Sequence, residues 1–353
     1  MVRLILVALV QYQVHTIDAR PGFVQWGYHD ASVPPALTIR SGDFLEVTTL
    51  VTGARNLRTF GVPEEHIRPE MEEIDRAVEQ EGPHLLVGPV AVEGAEPGDA
   101  LEIRIVEVEV AEDFAINLFR PGGGTLPERF PHLGTRVIPL DRERDVAIFS
   151  DGIEIPLRPF FGSIGVAPPN ASGRISSGPP GFHTGNIDNK ELVAGSTLWV
   201  PVHVRGALLT IGDGHAAQGN GEVDGTALET SLRGTFQVTV RKGARLKWPR
   251  AETPEHLITM GLHPDLDEAA KLAVSEMVDY LVAERGLDED AAYMLCSIAV
   301  DLHVTQIVDG TKGIHALLPK RIFAEEGIGV DMARPVHRGA HNERTNRQKQ
   351  GHR

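Results

Sequence analysis

From Gly42 to Gly243 the apolar residues recur mainly with a period of two, the spacing of a strand with one buried face. Segment 44–51 is rich in β-branched residues and is entered through the turn residues Ser41-Gly42-Asp43. In 100–110, Leu101, Ile103 and Ile105 alternate with Glu102 and Arg104, and Val106, Val108 and Val110 then alternate with Glu107 and Glu109. The apolar set changes face between Ile105 and Val106, which predicts a bulge or bend. Further strands are predicted at 197–204 and 234–241, and one helix at 64–80, where Ile67, Met71, Ile74 and Val78 stand at helical spacing. Past residue 243 the period lengthens. Leu266, Ala269, Ala270, Ala273, Met277 and Leu281 form a stripe over 265–285 that stops at Gly286. A second helix is predicted at 288–300, opened by Asp288, Glu289 and Asp290, whose charges suit the helix dipole; a strand at 302–308 follows. The pattern predicts a mainly β fold with a C-terminal α+β portion: 1–243 mainly β, 244–334 α+β and packed on it, and 335–353 a disordered basic tail.

Charge sharpens that division. The chain has 353 residues and 34 Lys+Arg against 49 Asp+Glu, a formal net charge of −15. Residues 336–353 carry five Lys/Arg and one Glu, so a tail of +4 leaves −19 on the rest. An acidic body argues against a nucleic-acid groove and against an anionic membrane surface. No run approaches the roughly 18 apolar residues of a membrane span. The apolar run 4–10 has one basic residue before it and no small-x-small cleavage pattern after it, so it is expected to be a buried first strand rather than a leader. A single cysteine, Cys296, excludes an intramolecular disulfide and a Cys-cluster metal site and points to the cytoplasm. It lies in a predicted helix among Leu295, Ile298 and Ala299, as a core thiol would.

The polar residues able to act on a substrate concentrate in two glycine-rich stretches, 179–189 and 212–222. Asp213 and His215 stand two apart after a short strand at 208–211; if the chain stays extended they share a face. Glu222, beyond two more glycines, can fold back toward them. Such a set supplies the mixed imidazole and carboxylate ligands that Zn²⁺ accepts, and manganese or iron fits them too. His183 and Asp188 from the first stretch could complete the shell. The plainer reading of Asp213-x-His215 is a turn cap with a surface histidine, and Asn186 and Asp188 alone are ordinary turn residues.

His183-x-Gly185-Asn186-Ile187-Asp188, followed by the block 206–222, resembles the acetamidase/formamidase family. So do 88–99, 159–168, Gln306-Ile-Val-Asp-Gly310, and Gly313-Ile-His with 318–323. The resemblance covers about residues 20–330. It implies a hydrolase of carbon–nitrogen bonds other than peptide bonds, cleaving short linear amides such as formamide or acetamide to carboxylate and ammonia. It also implies a β-sandwich or jelly-roll-like core, a divalent metal ion (zinc first, with calcium, manganese or iron as alternatives) and a homodimer or higher homo-oligomer. Carried over by position, the metal falls to Asp188, Asp213, His215 and His183, catalysis to Glu222 and His183, and the substrate to Asn186 and Gly214. The chain departs from the family in Thr184, where glycine is usual after the motif histidine, and in Asn220, where aspartate is common; Thr184 bears on substrate preference.

The expected mechanism is attack by metal-activated water, with Glu222 as general base and proton shuttle or, equally, as a ligand. The expected partner is a small neutral amide, with neither nucleic acid nor membrane. The alternatives are a metal-dependent hydrolase of a cyclic amide, carbamate or urea-like compound, and a non-catalytic metal-binding β protein. His203 reads as a strand residue and His315 is left outside the site. Pro121-Gly-Gly-Gly-Thr125 reads as a mobile loop near it, and Glu65, Glu70, Glu72 and Glu73 as a solvated helix face.

Overall fold

A nine-stranded sheet organises the protein, in the order Val14–Asp18, Phe44–Thr48, Leu232–Arg241, Ala100–Val110, Thr197–Pro201, Arg250–Glu252, His256–His263, Lys312–Pro319 and Asp301–Gln306. The fold is that of a computed structural model that describes residues 12–323. The strand expected at 4–10 and the tail at 335–353 lie outside the described residues. The sheet crosses residue 243 without a break, so strands of both expected portions belong to it. The face change within Ala100–Val110 is a bulge. Pairing passes from Thr235 opposite Glu107 to Phe236 opposite Ile105, and Val106 is the extra residue.

A second sheet of six strands holds Thr184–Asn186, Phe160–Gly165, Leu209–His215, Leu85–Val92 and Val24–Trp26, with Leu37–Ile39 pairing on Leu85–Val92. A smaller sheet of four strands runs from Phe114–Phe119 to Ile153–Pro156. One core joins the two large sheets: the Phe161 ring meets Phe236 with centroids 5.3 Å apart. Gly234 makes room for it, because a Cβ there would lie 2.6 Å from Phe161. Mainly β, as the periodicity indicates, the fold buries Leu209–His215 in the middle of the second sheet.

The helix expected at 64–80 is shorter and broken. A 3-10 turn at Glu64–His66 is followed by the helix Pro69–Ala77. Proline has no N–H to donate and pushes the residue before it into extended backbone, so Arg68, at φ −83° and ψ 151°, cannot continue a helix across the junction. Pro69 then starts one, at a position where a missing N–H is harmless.

The C-terminal helices follow the pattern closely. Leu266–Arg285 is capped by Asp265, whose carboxylate accepts from the N–H groups of Asp267 and Glu268, and ends at Gly286 in left-handed backbone. Glu289–Ala299 is capped by Asp288. The long helix lies on the strand His256–His263 at Gly261, where a Cβ would collide with the Ala269 carbonyl and stand 2.6 Å from the Ala273 nitrogen. Thr259 Oγ1 donates to the Ala273 carbonyl at 2.7 Å, and buried Arg250 pairs with Glu276 at 2.9 Å. Cys296 is buried in this helical core. Gly261→Ala is therefore expected to lower stability by about 1–3 kcal/mol through overpacking, read from the urea unfolding midpoint; an unchanged midpoint would contradict this packing.

Candidate active site

Leu209–His215 carries the first two site residues. Asp213 and His215 both lie within it rather than after it, and Asp213 takes a left-handed φ of 58°. Their side chains meet: His215 Nε2 is 3.2 Å from Asp213 Oδ2 and 3.3 Å from Glu229 Oε1. Glu229 arrives by an isolated antiparallel bridge to His215. Ligand-capable atoms of Asp188, His215 and Glu222 also lie within 4.8 Å of one another, as do those of Asp213, His215 and Glu229. The structure thus gathers Asp188, Asp213, His215 and Glu222, drawn from the two glycine-rich stretches. It adds Glu229 and, interacting with Asp188, Asp309.

His183 is not part of either cluster. Its buried ring packs on His29 with centroids 4.9 Å apart, and its Nε2 stands against Gly185, outside both clusters. Thr184 and Gly185, between His183 and Asp188, hold left-handed backbone, and both ring nitrogens of His183 are buried without a hydrogen-bond partner. Gly214 faces away as well. A Cβ on it would stand 2.5 Å from the Thr230 carbonyl, and its own carbonyl accepts from Thr230 N–H at 2.7 Å. Asn186 does face the site: Nδ2 donates to Asp188 Oδ2 at 2.9 Å, and buried Oδ1 has no partner. His203 bonds the Phe182 carbonyl at 3.0 Å, and the 121–125 loop is tied to Val223 through Thr125 N–H.

Two residues outside the predicted set shape the centre. Gly162 lies on the neighbouring strand opposite Asp213. A Cβ there would run into Asp213 Oδ2 and lie 2.5 Å from Asp188 Oδ1 and 2.8 Å from His215 Cε1, so only glycine leaves the space between the ligands free. Gln218 orients the imidazole. Its Nε2 donates to the Asp188 carbonyl at 2.9 Å, which turns its Oε1 to receive His215 Nδ1–H at 2.9 Å. His215 then presents Nε2 to the carboxylates, the arrangement typical of a ligating histidine. Gly162, Gln218 and Asp309 fall inside stretches that resemble the family, which was the available signal; Glu229 had none, because cross-strand pairing brings it in.

The electrostatics are those of acids withdrawn from water. Burial first, then neighbouring carboxylates led by Glu222, push Asp188 well above the usual carboxylate range. Burial likewise pushes Glu222 well up, with His215 opposing. Asp309 is raised to about 6, mainly by burial. For His215 burial opposes the charge, but Glu229 and Asp213 outweigh it and hold the imidazole well above its usual value. The same pairing keeps Asp213 low despite burial. Such a donor set fits a divalent ion. Oxygen and nitrogen atoms 3.2–3.3 Å apart match ligand atoms about 2.0 Å from a shared tetrahedral centre, and buried Asp188 Oδ1 has no hydrogen-bond partner. Asp188, Asp213 and Glu222 all hold left-handed backbone, a strain that surrounding structure must maintain. Beside the cluster lies a cavity of about 100 Å³, lined by Asn186, Asp213, Glu222, Glu229, Asp309 and His84. Glu222 also borders a wider cleft of about 540 Å³ with Phe149, Ile155 and Lys190.

The conserved-family model described as Acetamidase/Formamidase family matches residues 21–177 and 170–325. The chain belongs to the acetamidase/formamidase family. It is 27% identical over 317 residues to a formamidase of Methylophilus methylotrophus, aligning 68% of this chain with 77% of that one. It is 29% identical over 203 residues to an acetamidase of Mycolicibacterium smegmatis, 40% of this chain and 49% of that one. The chain spans about half the length of two of the curated relatives it matches. Among solved structures, an acetamidase of Bacillus halodurans is similar with a TM-score of 0.76 and 32% identity, covering 89% of this chain and 100% of that one.

Two predictions follow from this geometry. Gly162→Ala should weaken zinc affinity by at least about tenfold with an unchanged circular dichroism spectrum; unaltered affinity in a metal titration would remove the cage from consideration. Because Asp309 has a folded-state pKa near 6 and a lower unfolded one, its ionisation burdens the metal-free fold above pH 6 and is relieved as the pH falls. Asp309→Asn should therefore raise the Tm of metal-free protein at pH 7.5, by a margin that shrinks toward pH 5. A margin independent of pH would contradict the shift.

Proposed function

We propose that this protein hydrolyses the carbon–nitrogen bond of short linear amides, such as formamide or acetamide, to a carboxylate and ammonia, using a divalent ion held by His215 and the carboxylates around it. Zinc is the first candidate, with calcium, manganese and iron behind it. The observation that carries the proposal is the cluster of buried carboxylates around His215, set against a cavity lined by Asn186, Glu222 and His84. Membership of the family, and relatives named formamidase and acetamidase, support the same class of substrate.

An amide is a poor electrophile with a poor leaving group, so the site must supply a nucleophile, stabilise an oxyanion and protonate the departing nitrogen. A divalent ion, when bound, supplies Lewis-acid polarisation and acidifies water. Asp188, Asp213, His215 and Glu229 would hold it, with Gln218 fixing the His215 tautomer. Glu222 is assigned as the base: it lines the cavity, and burial raises its proton affinity well above that of an ordinary glutamate. It takes a proton from the attacking water and returns it to the leaving nitrogen. Asn186 Oδ1, buried and unpartnered, is placed to accept an N–H of the substrate amide and so orient it. His84 donates Nδ1–H to the Ser177 carbonyl at 3.1 Å, leaving Nε2 for the cavity as a second proton carrier.

The proposal extends to a cytoplasmic homo-oligomer acting without nucleic acid or membrane. Among the described residues no helix is long and apolar enough to cross a membrane. Exposed Tyr293, Met294, Ile298 and Leu302 lie on the last helix and the sheet's edge strand, an apolar strip suited to a second copy of the chain. The test is ammonia release from formamide, acetamide, propionamide, urea and a cyclic amide, with metal analysis of the same sample. Zinc-loaded protein should turn over the smallest linear amides fastest. Glu222→Gln should lose at least about 100-fold in kcat with metal retained, and His215→Ala should lose the metal. Turnover of the cyclic amide or urea alone would move the substrate to another C–N class. No turnover, or near-normal Glu222→Gln, would overturn the proposal.

A further inference from the structure

A second group of metal-type ligands stands outside this centre. On the paired strands Asp301–Gln306 and Lys312–Pro319, His303 lies directly opposite His315, with ring centroids 5.3 Å apart. Glu191, three residues beyond Asp188, joins them: ligand-capable atoms of Glu191, His303 and His315 lie within 4.8 Å of one another. His315 is fully buried. Its Nδ1 is 2.7 Å from Thr305 Oγ1, which fixes the ring, while buried Nε2 has no partner at all. His303 is held from the other side, its Nδ1 3.3 Å from the Asn220 amide nitrogen. Arg158 takes Glu191 Oε2 at 2.7 Å and leaves the other oxygen available. Two imidazoles and one carboxylate, with the rings oriented by neighbours, are a zinc-type set.

We propose that Glu191, His303 and His315 form a second divalent-metal site, zinc-type by its ligands, that is structural rather than catalytic. Its position gives it a purpose. Glu191 follows the segment that carries Asp188, and the two histidines sit on the strands against which the 216–222 loop rests. That loop is tied to them by Gly221 N–H to the Thr305 carbonyl at 3.0 Å and by Ile307 N–H to the Gly221 carbonyl at 3.2 Å. An ion bridging Glu191 to the histidines would clamp the segments bearing Asp188 and Glu222 to the C-terminal strands. The site does not depend on the reaction proposed above, since its ligands are separate.

The experiment is metal stoichiometry and Tm of the purified full chain, stripped with chelator, reloaded with zinc and desalted. Wild-type protein should bind two equivalents. His303→Gln should bind one fewer and melt lower in zinc than the wild type, with equal Tm after stripping. Asp213→Asn should also bind one fewer, and the double variant none. His303 is only partly buried, so its replacement does not open the core as loss of His315 would. An unchanged zinc content in His303→Gln would overturn the proposal and leave His315 Nε2 to a buried water. Absence of amide turnover with the His303-dependent equivalent still present would refute only the proposed reaction.

Discussion

Burying a carboxylate costs free energy unless a cation or a hydrogen-bond donor meets it, and this protein draws five of them together around His215. Against Asp188, Asp213, Glu222, Glu229 and Asp309 stand the imidazole of His215 and, beside Asp213 and Asp309, that of His84, and burial still pushes Asp188, Glu222 and Asp309 upward. A fold does not keep such an excess of negative charge for stability. A divalent ion would relieve it, and the proposed chemistry needs one where the acids converge.

The architecture serves this arrangement. His215 and Asp213 sit on a central strand, where sheet pairing on both sides fixes the backbone, and Gly162 on the next strand keeps the space between ligands clear. Asp188 and Glu222 come from loops instead, and both hold strained left-handed backbone. The loops are made rigid by the C-terminal strands, which receive Gly221 by an isolated bridge to Gln306. Gln306 in turn accepts the N–H groups of Val308 and Asp309 and so directs Asp309 back to the centre. The C-terminal portion is thus a wall of the site.

Most of the regular structure was legible because local signals agreed. The long helix had its stripe, its Asp265 cap and its Gly286 stop; the bulge showed as a change of apolar face at Val106. The 64–80 helix was misjudged where one proline outweighed four well-spaced apolar residues. In the site, Asp188, Asp213, His215 and Glu222 were legible as carboxylates and an imidazole in glycine-rich loops. His183 carried the same signal but stands outside both clusters, with its ring packed on His29. Glu229 was not legible because its contact with His215 arises only when two distant segments pair, and the role of Gly162 is the absence of a side chain.

Whether these acids hold a metal ion is read from anomalous diffraction of zinc-loaded crystals at the zinc edge. A peak is expected within bonding distance of His215 Nε2 and of carboxylate oxygens among Asp188, Asp213 and Glu229. A zinc-saturated crystal with no peak there, the cluster closed by carboxyl–carboxylate hydrogen bonds or water, would contradict that expectation.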